Sequence, residues 1–208
     1  MAYVEDGAAG KEFICSDRKK NVFLIGDSIR KGYCARTKAL LESQAEVFYV
    51  EDNCRSSQYV MFSLNGWSNK FDHREKVSLV LFNCGHWDIA HWLGVEEPLT
   101  GKDEYQKNLR MIHGQLKKLF VNAKVVFITT TPMNPSGLVG VNPRTNGEID
   151  AYNQLAAETC AELGADVIDL NGFCRHWDST CYRDYCHFTE EGFALLGEEM
   201  ARRIQAYL

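Results

Sequence analysis

The sequence predicts an α/β domain in which a parallel sheet of about five strands is covered by helices on both faces, a three-layer α/β/α arrangement. Three observations carry that prediction. Short runs rich in Val, Ile and Phe recur along almost the whole chain, amphipathic stretches separate them, and polar residues gather just after the runs. Runs that are apolar at every position mark strands buried on both faces, and strand-helix alternation requires right-handed crossovers that return each strand parallel to the last.

The strands are expected at residues 21–25, 45–50, 77–83, 124–130 and 165–169. Helices are expected at 29–44, 56–64, 103–120 and 149–163, with a last one at 190–208 for which Thr189 is a suitable N-cap. Residues 1–20 read as an N-terminal extension, and the whole chain, 1–208, as one domain. The stretch from Pro132 to Gly147, rich in Pro, Gly and Asn, reads as a long loop beside the site rather than a linker. Open sheets of this kind hold ligands beyond the carboxyl ends of their strands. Gly26-Asp27-Ser28 follows the first strand, Asn53-Cys54-Arg55 the second, Cys84 to Asp88 the third and Thr131-Pro132 the fourth.

Composition narrows the function classes. With 208 residues, 45% of them hydrophobic, the chain can bury a sizeable core, and a net charge of −5 gives no reason to expect nucleic acid or an anionic membrane as partner. Small neutral or cationic substrates are favoured on that ground. No apolar stretch is long enough to span a membrane, and the opening from Met1 to Gly7 lacks the basic and apolar regions of a signal peptide, so a cytoplasmic location is expected. Eight cysteines in a chain of this size read mostly as reduced thiols.

The chemistry begins at Ser28, on a strand-to-helix turn. A serine hydroxyl attacks only if a base takes its proton as it does so, and histidine has the ordinary pKa for that task. His187 is the candidate base, and Asp184, three residues earlier in a loop before the last helix, can accept a hydrogen bond from the imidazole and fix its tautomer. The first turn of a helix adds free N–H groups and a positive dipole end, both favourable to an oxyanion at Ser28. Taken singly, each residue has a plainer reading: Ser28 as a helix-end serine, Asp184 as a solvated carboxylate, His187 as a surface imidazole. Asp27 reads as a turn-stabilising acceptor.

Gly26-Asp27-Ser28 after an apolar strand, a glycine-containing polar loop after the third strand, and Asp184-x-x-His187 followed by Phe188-Thr189 and a terminal helix together resemble the GDSL, or SGNH, hydrolase family. The resemblance implies a flavodoxin-like fold, hydrolysis of acyl esters or thioesters through an acyl-enzyme, and Ser28, Asp184 and His187 as triad. Two positions depart from the family pattern, and both concern the oxyanion hole. Where a glycine N–H is usual after the second strand, the chain has Glu51-Asp52-Asn53-Cys54-Arg55, so that the N–H of Cys54 or Arg55 would serve. Where Gly-x-Asn-Asp is usual after the third, it has Gly85-His86-Trp87-Asp88, leaving the Trp87 indole or Asn83 as donor.

Trp67, Trp87 and Trp92 either line an acyl or sugar pocket or pack at the edge of the core. His86, His91, His176, Cys174, Cys181 and Cys186 lack the paired spacing of strong zinc sites, and no phosphate-cradling glycine loop is present, so neither metal nor other cofactor is expected. The reading that follows is a serine esterase that removes a short acyl group, such as acetyl, from a carbohydrate or other small ester. A thioesterase, an acyltransferase and a non-catalytic flavodoxin-like binding module are its alternatives.

Overall fold

The computed structural model describes residues 11–208. Its first strand, β1 (Lys20–Ile25), shows why the sheet forms. Val22, Phe23, Leu24 and Ile25 are all fully buried, and they alternate, with Phe23 and Ile25 in one core layer and Val22 and Leu24 in the other. A strand with two apolar faces is stable only when covered on both. β2 (Ala45–Tyr49), β3 (Val77–Phe82), β4 (Lys124–Ile128) and β5 (Asp166–Ile168) join it in an all-parallel sheet of order β2-β1-β3-β4-β5.

Helices supply the two covers. α1 (Ser28–Leu41) and α6 (Glu190–Gln205) place Tyr33, Leu41, Leu196, Met200 and Ile204 over Val22, Leu24, Leu79, Leu81 and Val126. On the other face lie α2 (Ser57–Ser68), α3 (Lys102–Leu119) and α4 (Asn146–Leu163), whose Val60, Leu64, Leu109, Ile112 and Ile149 meet Phe23, Phe82 and Phe127. The caps follow local rules. Thr145 and Glu148 form a capping box on α4, Gly164 closes it in the left-handed region at φ 64°, and Thr189 caps α6.

Two expectations are corrected. α2 runs four residues past Leu64, because Gly66 faces open space and does not interrupt the helix. A short helix, α5 (Leu170–Cys174), follows β5, started by the Asp169 side chain accepting from the Gly172 N–H. Residues 1–10 of the expected extension lie outside the described residues, but residues 11–19 are joined to the domain. Phe13 forms a parallel bridge with Phe71 and packs its ring 4.9 Å from it, while Cys15 donates its thiol to the His73 carbonyl at 3.2 Å.

All eight cysteines are free thiols, seven of them buried. No helix among the described residues is long and apolar enough to cross a membrane. The strand order reverses between β1 and β3, which opens a crevice beyond their carboxyl ends. Ser28 follows one of these strands and Gly85 to Asp88 the other.

Candidate active site

β1 delivers the chain to a tight turn. A Cβ on Gly26 would stand 2.7 Å from the Cβ of Arg30, so only glycine lets the first turn of α1 fold this closely over the strand. Asp27 is the N-cap, its Oδ1 accepting the Ile29 N–H at 2.9 Å, the turn-stabilising part expected of it. Burial lifts the Asp27 carboxyl above its ordinary value, against the pull of that N–H and of the Arg144, His187 and Arg30 charges. Ser28 is thereby the first helical residue, with its hydroxyl in the crevice.

The loop before α6 brings the other two groups. Tyr182 and Phe188 form an antiparallel bridge, Arg183 N–H donates to the His187 carbonyl at 2.9 Å, and Thr189 N–H donates to the Cys181 carbonyl at 2.8 Å. Within this tight loop Asp184 Oδ1 accepts the N–H groups of Cys186 at 2.9 Å and His187 at 2.8 Å. Its Oδ2 lies 2.8 Å from His187 Nδ1, and His187 Nε2 lies 2.8 Å from Ser28 Oγ. Burial would raise the Asp184 carboxyl, yet the two N–H groups and the imidazole hold it below its ordinary value. An ionised Asp184 assigns the proton to Nδ1 and leaves Nε2 free to accept the Ser28 hydroxyl proton. The structure thus brings Ser28, His187 and Asp184 into one hydrogen-bonded line across 159 residues of sequence.

Opposite this line the expected donors fare differently. Cys54 is fully buried and its N–H donates to the Gly26 carbonyl at 3.2 Å, so it is not offered to the crevice. Asn83 is also corrected: its Nδ2 donates to the Ile128 carbonyl at 2.8 Å and to Thr130 Oγ1 at 3.5 Å, bracing the end of β4. Arg55 adopts φ 43°, a left-handed conformation that suits the glycine usual in the family, and its N–H is held by Asn53 Oδ1 at 3.0 Å. Trp87 does face the cleft, with its ring 5.3 Å from Trp92. Trp67, by contrast, belongs to the core.

Asp88 is buried behind Trp87. Its carboxylate accepts from Ser57 N–H and Oγ and from Thr100 Oγ1, the last two at 2.5 and 2.9 Å, tying the β3 loop to the start of α2. Burial pushes its pKa up to about 6 in spite of these bonds. Of the histidines weighed as zinc ligands, His86 is buried against Thr131 and His91 Nε2 meets Glu148 Oε1 at 2.6 Å. Donor atoms of Asp184, Cys186 and His187 do lie within 4.8 Å of one another. That set suits a metal poorly, because burial pushes the Cys186 thiol up to about 12 and Asp184 is engaged by the His187 ring.

The model of the GDSL-like lipase/acylhydrolase family matches residues 24–195, which takes in Ser28, Asp184 and His187. The chain belongs to that family. A rice relative, the GDSL esterase/lipase WDL1 of Oryza sativa subsp. japonica, is 31% identical over 137 residues, covering 60% of this chain and 52% of the relative. The GDSL esterase/lipase CPRD49 of Arabidopsis thaliana is 28% identical over 123 residues, covering 54% of this chain and 47% of the relative. The chain therefore spans about half the length of the curated relatives it matches. Among solved structures, the lipase/acylhydrolase from Enterococcus faecalis superposes with a TM-score of 0.70 at 20% identity, covering 90% of this chain and 96% of that one. The acetyl xylan esterase AlAXEase gives 0.69 at 18% identity, covering 88% and 99%. Est24, a carbohydrate acetylesterase from Sinorhizobium meliloti, gives 0.67 at 14% identity, covering 91% and 100%. These likenesses establish the family's α/β sandwich for this chain.

In this family member the crevice is a cleft of about 240 Å³. Besides Ser28 and His187 it is lined by Asn53, Trp87, Trp92, Asn142, Arg144 and Tyr185. Asn142 and Arg144 come from the long loop placed beside the site by sequence. Neither carried a signal of its own, since an exposed loop arginine looks the same whether or not it turns inward.

Proposed function

We propose that the chain is a serine esterase that cleaves short-chain acyl esters, with Ser28, His187 and Asp184 as its triad. The observation that carries this is the pair of 2.8 Å separations from Ser28 Oγ to His187 Nε2 and from His187 Nδ1 to Asp184 Oδ2. Ser28 Oγ attacks the ester carbonyl as Nε2 takes its proton, and Asp184 stabilises the imidazolium. His187 then gives the proton to the leaving alcohol, leaving an acyl-enzyme, and a water activated by the same nitrogen releases the acid. The Ser28 N–H at the start of α1, the Trp87 indole and the Asn53 side-chain amide, all at the cleft, are our candidates to receive the oxyanion.

Substrate size follows from the cleft. A volume of about 240 Å³ suits an acetyl or similarly short acyl group on a small alcohol better than a long chain. The acetyl activity named for two of the structural neighbours, on xylan and on carbohydrate, supports the same choice. Free buried thiols support a reducing compartment, hence the cytoplasm, and co-fractionation with a secreted marker would overturn that location.

Fluorophosphonate labelling tests the central claim. A stoichiometric adduct is expected in the wild type and none in Ser28→Ala; a folded wild-type protein that takes no label would favour a binding module. A series of p-nitrophenyl esters tests chain length, with the highest turnover expected at acetate to butyrate and a maximum beyond eight carbons counting against the short-acyl reading.

A further inference from the structure

The most distinctive group in the cleft after Ser28 and His187 is Arg144. Its guanidinium donates through Nη1 to the His86 carbonyl and lies 5.7 Å from the Tyr185 ring, which together aim it along the same wall as His187. Its Nε is buried with no hydrogen-bond partner among the described residues. A guanidinium has five N–H donors and keeps its charge at any physiological pH, so a half-buried one with donors to spare favours an anion in front of it.

The charges around Arg144 point the same way. No acidic side chain lines the cleft, and no ion pair joins Arg144 to an acid among the described residues. Glu148, four residues further on in the first turn of α4, is held by His91 Nε2 at 2.6 Å and by the Thr145 N–H and hydroxyl at 2.8 Å. Asp184 is bound to His187, and Asp27, which feels the Arg144 charge from under the turn, gives its Oδ1 to the Ile29 N–H and forms no ion pair with Arg144. The net charge of −5 favours cationic substrates at long range. At contact range within the cleft, the local cation decides.

We propose that Arg144 is a specificity residue that binds a carboxylate of the substrate, so that the preferred ester is one whose alcohol or acyl part carries a negative charge. Arginine meets a planar carboxylate with two parallel hydrogen bonds, which fixes orientation as well as affinity. An acetylated sugar acid satisfies the site most fully, since the Trp87–Trp92 pair offers a face for the ring while Arg144 takes the carboxylate. This inference rests on the esterase reading above.

The test compares substrates that differ only in charge. On the alcohol side these are an O-acetylated methyl galacturonoside as the free acid and as its methyl ester; on the acyl side, p-nitrophenyl hemisuccinate and p-nitrophenyl butyrate. The wild type is expected to prefer the acid of one pair by roughly tenfold or more in kcat/KM, with the preference shrinking as salt is added. Which pair shows it identifies the side of the ester that faces Arg144. In Arg144→Gln, the acid-to-neutral ratio should fall by about 10- to 100-fold, and Arg144→Lys, which keeps charge without the planar fork, should retain part of it. Circular dichroism and melting curves check that both variants fold.

Equal wild-type turnover of acid and neutral partner in both pairs, or an unchanged ratio in Arg144→Gln, overturns the carboxylate site while leaving the esterase intact. If a folded wild type cleaves none of the four, the esterase reading fails instead. The site is then read by binding of free galacturonate to Ser28→Ala, followed through quenching of tryptophan fluorescence. Binding that matches that of galactose would overturn it as well.

Discussion

The loop that carries Asp184 and His187 and the wall that carries Arg55 and Trp87 face each other across the cleft, and different kinds of bond fix them. On the histidine side most restraints are short in sequence: Asp184 Oδ1 gathers two N–H groups of its own loop, the Tyr182–Phe188 bridge closes that loop on itself, and Asn134 adds a long-range tie, donating its N–H to the Tyr185 carbonyl and its Nδ2 to the Asp184 carbonyl. On the opposite wall the restraints are long-range and buried. Asp88 ties Ser57 and Thr100 together, Asn108 donates to Ser57 Oγ at 2.9 Å, Tyr152 donates to the Thr100 carbonyl at 2.6 Å, and Tyr105 donates to the Cys84 carbonyl at 2.7 Å. A local motif can be set correctly by one loop. The far wall holds its shape only when three helices and the sheet have docked, and it contains a carboxylate whose charge is expensive to bury.

Breaking the local side should have the largest effect. Asp184→Asn keeps the shape of the loop but removes the charge and invites the wrong imidazole tautomer, so kcat is expected to fall by about 10³- to 10⁴-fold with little change in melting temperature. A loss under tenfold would show that the loop orients His187 without the carboxylate.

The next effect belongs to the far wall and depends on pH. Asp88 has a folded pKa of about 6 against an ordinary 3.8, so between those values the native state holds more protons than the unfolded chain. Stability contributed by protonated Asp88 is then complete below about pH 4 and is lost as pH rises through 6, by up to about 3 kcal/mol. In urea melts from pH 4 to 7, the wild type should lose up to about that much unfolding free energy relative to Asp88→Asn. Parallel pH profiles would mean the carboxylate is better satisfied by Ser57 and Thr100 than its burial implies.

Two smaller changes sharpen the contrast. Gly85→Ala would bring a Cβ to 2.0 Å from Thr130 Oγ1, costing about 1–3 kcal/mol, and Thr130→Ala in the same chain should restore part of it. Arg55→Gly relieves a left-handed backbone but loses the guanidinium stacked 4.4 Å over Tyr59. With about 1 kcal/mol on each side, its unfolding free energy should stay within about 1 kcal/mol of wild type. A loss above 2 kcal/mol would show that the side chain, not the backbone, holds that turn.

The same contrast explains what could be read from the sequence. Asp184-x-x-His187 and Gly26-Asp27-Ser28 were legible because each is a local unit whose side chains state its geometry. The donors of the far wall were not, since a backbone N–H leaves no mark in the sequence. Asn83 looked available until β4 was in place beside it to take its amide hydrogens. Cys54 looked available until the turn after β2 closed on the Gly26 carbonyl. Arg144 was hidden in a loop whose course depends on distant ties, such as the Met133 N–H to Asn146 Oδ1 and the His91 N–H to the Pro143 carbonyl. The strands were read closely because a continuous apolar run is a property of each segment alone, whereas the length of α2 turned on whether Gly66 met solvent or a neighbour.

The distance along the chain between Ser28 and His187 has a consequence for the life of the protein before it is complete. At translation rates of about 5–20 residues per second, the serine leaves the ribosome roughly ten to thirty seconds ahead of the histidine that can take its proton, given their separation of 159 residues. A nascent chain thus carries an ordinary alcohol at that position. Under the proposed mechanism, an abortive product or a copy cut before His187 would lack the base that Ser28 needs and would not become a partial catalyst.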